Sequence, residues 1–102
     1  MAESHRLRVP DALVHVLRTL HPGLKRKVRA ALDDIREDPS SGKALREGLA
    51  GLHSFRVGRF RIIYRVIPKR VIEVVAFGPR RTIYADTLRL VRRERETNDR
   101  TR

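Results

Sequence analysis

Arg56, Arg59 and Arg61 fall within six positions, RVGRFR, and only Val57, Gly58 and Phe60 separate them. Between residues 56 and 81 the chain holds eight basic residues (Arg56, Arg59, Arg61, Arg65, Lys69, Arg70, Arg80 and Arg81) against a single acid, Glu73. Guanidinium groups stay charged at any working pH and offer paired donors, so such a set suits phosphate groups or a transition state that develops negative charge. Proton transfer is harder to supply. Arginine, with a pKa above about 12, is a poor general base, and tyrosine at about 10 is a reluctant one at neutral pH.

The elements that position these arginines are legible in the spacing. Gly58-Arg59 fits a two-residue hairpin turn with glycine first, which pairs Val57 with Phe60, Arg56 with Arg61 and Phe55 with Ile62. Like charges directly across a strand pair cost up to about 1 kcal/mol, so stability alone does not favour the arrangement. The bland alternative is a solvated strand surface whose arginines discourage edge pairing. Strands are expected near 52–57, 60–67 and 70–77, with Pro68-Lys69 at the second reversal pairing Tyr64 with Glu73. That register predicts a core face of Phe55, Val57, Phe60, Ile62, Tyr64, Val66, Val71, Val75 and Phe77, with His53 on the same side. Arg56, Arg61, Arg65, Ile63, Ile72, Val74 and Ala76 then form a basic groove with an apolar floor, and Arg80 arrives just beyond its strand.

Ahead of the strands, residues 5–9 alternate as a short strand, and Pro10-Asp11 offers an N-cap. Leu13, Val16, Leu17 and Leu20 mark one helix stripe, and Leu24, Val28, Ala31, Leu32 and Ile35 a second that ends before Pro39. The stretch 39–43 reads as a loop, and 43–51 is ambiguous between a helical turn and irregular chain. After Gly78-Pro79 the expectation is a short extended piece, a short helix over about 86–95 and a disordered tail from about 96 to 102. The whole is one α+β domain, residues 1–102: a small antiparallel sheet with two N-terminal helices on one face and a short C-terminal helix.

Bulk chemistry narrows the function classes. The formal net charge is +12, from 24 Lys+Arg against 12 Asp+Glu, which asks for an acidic partner. There is no cysteine, which excludes disulfides and thiolate metal sites and points to a reducing, cytoplasmic compartment. His5, His15, His21 and His53 show no ligand spacing. No apolar run approaches the roughly 18 to 20 residues of a membrane span. No metal and no cofactor are expected, and no membrane association.

The order of strand, two helices and antiparallel strands, with RVGRFRIIY (residues 56–64) followed by GPRRTIY (78–84), resembles the RelE toxins of bacterial and archaeal type II toxin–antitoxin systems over about residues 5 to 91. Members of that family are ribosome-dependent endoribonucleases, silenced by acidic antitoxins that wrap them. The resemblance implies Arg61, Arg80, Tyr84 and Arg56 as catalytic positions and Ser54, Arg59, Arg65 and Arg81 as RNA-binding ones. It also implies messenger RNA and the ribosome as partners besides a cognate acidic antitoxin. Two positions depart from the family pattern: Ser54 stands where several members carry a basic residue, and Pro79 replaces a frequent histidine. Apolar residues of the groove and the last helix (Ile63, Ile72, Val74, Leu88, Val91), framed by arginines, would suit an acidic amphipathic segment that folds on docking. Two other functions fit the same residues, a ParE-like toxin acting on DNA gyrase and a non-enzymatic RNA-binding module.

Overall fold

In the computed structural model, which describes residues 5–100, the order is β1 (Arg6–Arg8), α1 (Asp11–Arg18), α2 (Pro22–Glu37), β2 (Lys43–Ala44), β3 (His53–Val57), β4 (Phe60–Ile67), β5 (Val71–Pro79) and α3 (Arg80–Arg100), with single 3₁₀ turns flanking β2. The sheet runs β1-β5-β4-β3-β2. All pairings are antiparallel except that of β1 with β5, which is parallel: α1 and α2 carry the chain from β1 to β2 at the opposite edge, and the antiparallel run β2 to β5 returns it to the side of β1.

Helix entry follows local chemistry. α1 starts at Asp11 itself, with Pro10 as the capping position and no side-chain cap, so Asp11 places its charge in the first turn instead of capping. α2 starts one residue after His21, whose ring nitrogen accepts from the Gly23 N–H, and its proline occupies the first turn where a missing donor costs nothing.

Two apolar clusters sandwich the sheet. On one face Val57, Ile62, Tyr64, Ile72 and Val74 meet Val28, Ala31 and Ile35 of α2. On the other, Leu52, Ile63 and Ala76 meet Ile83 of α3. The expected β3–β4 register holds, Arg56 lying opposite Arg61. The β4–β5 register does not: Glu73 pairs with Arg65 and Val74 with Tyr64, one residue away from the expectation. The reversal uses three residues, Pro68, Lys69 and Arg70, the last two in the left-handed region at φ 67° and 57°. A one-residue slip moves the β5 side chains before the bulge to the opposite face, so Ile72 and Val74 sit in the core under α2; Val66 of β4, expected in the core, is exposed. A bulge opposite Ile63/Tyr64 absorbs Val75 and restores the expected sides for Ala76 and Phe77.

α3 also corrects the sequence reading. It begins immediately at Arg80, with no extended piece, and continues through Arg100, past the point at which a tail was expected. Residues 101–102 lie outside the described residues.

The Tyr64 side chain is fully buried and fastens the chain after α2 to the sheet. Its hydroxyl donates to the Pro39 carbonyl at 2.7 Å and accepts from the Gly42 N–H at 3.0 Å. Its ring stacks on His53 across the strand pair. Burial raises the phenol's pKa above its ordinary 10.0, against the opposing pull of the Gly42 bond. A folded state that holds this proton more tightly than the unfolded chain is stabilised fully below pH 10 and loses that contribution as pH rises beyond it. Urea unfolding between about pH 8 and 11 is therefore expected to show an alkaline loss of stability that is shallower in Tyr64→Phe. Identical slopes in the two proteins would contradict the assignment.

Candidate active site

The Gly58 turn builds one end of the site. Gly58 adopts φ 59°, the left-handed conformation that the first position of this hairpin turn needs and a Cβ would strain. On the strands it joins, Arg56 is exposed and Arg61 half-buried, and the two stand directly opposite. One Arg61 guanidinium nitrogen donates to the carbonyls of Phe60, at 2.8 Å, and Gly58, at 3.1 Å, which folds the side chain back over the turn.

The second wall is the start of α3. The Arg80 N–H donates to the Arg59 carbonyl at 2.9 Å, tying the first helical residue to the hairpin turn. Gly78 lies opposite Arg61, and a Cβ there would come 3.2 Å from Ile83, so its lack of a side chain lets the first turn of α3 fold back over the strand. Arg80 and Arg81 are both exposed at this helix N-terminus. Among the described residues none of Arg56, Arg59, Arg61, Arg80 and Arg81 pairs with a carboxylate. Five cations therefore converge at one end of the molecule.

Arg65 shares a strand face with Arg61 but lies elsewhere electrostatically. It bonds Glu73 directly across β4–β5 at 2.5 Å and reaches Glu94 on α3 at 3.5 Å, while Glu73 also lies 3.8 Å from Arg8 on β1. Burial disfavours its charge, but the two carboxylates more than offset that and raise its pKa. The structure thus places Arg65, expected among the RNA-binding residues, in an ion-pair network with Glu73 and Glu94. Ser54, also expected among the RNA-binding residues, is buried. It is 6% exposed, and its hydroxyl lies 3.1 Å from that of Tyr84. Ser54 is on the face covered by α3, which leaves its hydroxyl no route to a ligand except through Tyr84. Tyr84 itself is half-buried against the cluster beneath α3.

The expected open groove is correspondingly absent. α3 lies along its floor, so Ile63, at 0% exposure, is covered, while the slipped register puts Ile72 and Val74 under α2. None of the three is available to dock a partner. His53 stacks on Tyr64 on the α2 side of the sheet, away from the arginines. What the sequence reading missed is the pairing of Arg65; its signal was Glu73, the lone acid of a basic segment. Among the described residues no group of acids and histidines is arranged to hold a metal ion, and no helix is long and apolar enough to cross a membrane.

Residues 18–84 match the family described as the ParE toxin of type II toxin–antitoxin systems. The chain belongs to the RelE/ParE superfamily of toxins. The toxin superposes on the Mycobacterium tuberculosis RelBE2 toxin–antitoxin complex with a TM-score of 0.65 and 28% identity, covering 76% of this chain and 99% of that one. It has the fold of the archaeal RelE–RelB complex from Pyrococcus horikoshii (TM-score 0.62, 24% identity, 76% and 96% covered) and of the intact E. coli RelBE complex (0.65, 18%, 74% and 96%). No curated protein sequence matches the toxin.

Proposed function

We propose that this toxin arrests translation by cleaving messenger RNA displayed on the ribosome, and that a cognate acidic antitoxin neutralises it. The observation that carries the reading is the contrast between paired and unpaired arginines. Arg8 and Arg65, on the body of the sheet, share Glu73, whereas Arg56, Arg61 and Arg80 at the hairpin end have no carboxylate partner among the described residues. Structural solutions to this charge were within reach of the fold. They were used only away from the turn.

In the proposed reaction the ribose 2′-oxygen attacks the adjacent phosphorus and the bond to the 5′-oxygen breaks, leaving a cyclic phosphate and a 5′-hydroxyl. The 2′-hydroxyl proton leaves as the attack proceeds, and the departing 5′-oxygen gains one. Arg61 and Arg80 stabilise the charge that accumulates on the phosphorane, with Arg56 beside them. Tyr84, its hydroxyl held by Ser54, presents an oriented ring to a nucleotide. Positioning of the bent backbone by the ribosome supplies much of the rate, since no histidine faces the cluster and arginine is a poor base.

A second reading follows from the family match to ParE: inhibition of DNA gyrase on the same scaffold. Inducing the toxin in cells while following incorporation of labelled amino acid and labelled thymidine separates the two. The nuclease reading expects protein synthesis to stop first. Early loss of DNA synthesis with translation intact would overturn it.

A further inference from the structure

At the far end of the sheet from Gly58 the chain reverses through Pro68, Lys69 and Arg70. Seven residue steps along β4, at about 3.3 Å each, put the two turns about 23 Å apart. Lys69 and Arg70 occupy the left-handed region consecutively, at φ 67° and 57°, where glycine or asparagine would relieve the strain. Such backbone cost persists where the side chain is needed.

Lys69 and Arg6 are exposed, and neither has a carboxylate partner among the described residues. They adjoin in the fold: Arg6 pairs with Val71, one residue after the turn, and its N–H donates to the Arg70 carbonyl at 2.8 Å. The nearby acid Glu73 is engaged by Arg65 and Arg8. Lysine is a compact charge on a flexible stem, and with Arg6 it sets two solvent-facing cations side by side at this turn, which fits the spaced charges of a phosphate backbone.

We propose that Lys69, with Arg6 beside it, is a second contact for nucleic-acid phosphate, bridging the toxin to an RNA backbone about 23 Å from the cleavage end. The inference rests on the reading of the toxin as one that engages RNA on the ribosome. It assigns the strained turn to affinity and not to cutting.

The test is binding of the full chain to programmed ribosomes across a salt series, with thermal melting in parallel. Lys69→Gly removes one charge and the backbone strain together. Affinity at 0.1 M salt is expected to fall about eightfold and the slope of log K against log salt to shrink by about 0.9, the contribution of one phosphate contact. Tm is expected to rise by about 4 °C, so misfolding does not explain the loss. Lys69→Arg is expected to bind like the wild type. Unchanged ribosome affinity in Lys69→Gly overturns the proposal, as does a loss confined to antitoxin binding or a wild type that does not bind ribosomes. Ribosome binding without RNA cutting, still weakened by Lys69→Gly, overturns only the nuclease reading and leaves this contact standing.

Discussion

Arg61→Ala is expected to cut ribosome-bound message about 10² to 10³ times more slowly than the wild type, the usual loss when one preorganised donor to a developing oxyanion is removed. The structure makes Arg61 more than a surface charge, because its bonds to the Gly58 and Phe60 carbonyls fix its direction before substrate arrives. Arg61→Lys keeps the charge but cannot reproduce the planar fork, so it should recover only part of the rate. Arg65→Ala is the informative control: it lies four residues further along β4 on the same face, yet its partners are Glu73 and Glu94. Cutting by Arg65→Ala should stay within about threefold of wild type once its stability is allowed for. Equal losses in Arg61→Ala and Arg65→Ala would mean that net charge, not the geometry of the turn, governs the reaction.

The largest effect on stability outside the apolar core is expected from Glu73→Ala, which removes the one acid shared by Arg8 and Arg65. The Glu73 side chain is 17% exposed, and Arg65 is left half-buried with only the longer contact to Glu94. Breaking one side of a buried pair costs about 3–5 kcal/mol, and partial exposure of Arg65 reduces this to about 2 kcal/mol. Glu94→Ala loses a solvated pair and should cost about 0.5 kcal/mol or less. Urea midpoints of the two variants provide the comparison. If they coincide, the network on the sheet contributes nothing beyond surface charge.

Glu73 also marks where the sequence stopped being legible. The β3–β4 pairing was readable because glycine at position 58 announces a two-residue turn, and such a turn dictates register. Pro68-Lys69-Arg70 carries no such signal: its left-handed residues are lysine and arginine, and nothing in their types announces a third loop residue. The resulting slip misplaces Ile72, Val74 and Glu73, and with them the partner of Arg65. The bulge at Val75 then hides the error from the alternation pattern further along the strand. Helices α1 and α2 were visible in their stripes, since each turns one apolar face toward the core, although α1 only partly buries Leu13 and Leu17 and leaves Val16 exposed. α3 was shortened in the reading because residues 92–97 are exposed and the sequence beyond Val91 is polar, so apolar periodicity fades long before the helix does. The burial of Ser54 was not legible for a related reason: it depends on α3 crossing the sheet face that looked open. The cluster of Arg56, Arg61 and Arg80 needed only the turn and the end of β5, both local features.

Arg56, Arg61 and Arg80 around the Gly58 turn are the proposed centre for RNA cleavage. Mapping the ends of a defined message after incubation with toxin and translating ribosomes tests this most directly, with Arg61→Ala and Arg80→Ala alongside. The account predicts cuts within the codon displayed in the decoding site, upstream fragments ending in a cyclic or 3′-phosphate, downstream fragments beginning with a 5′-hydroxyl, and near-complete loss in both variants. An intact message with the wild-type toxin, or the same cuts at the same rate from both variants, would contradict it.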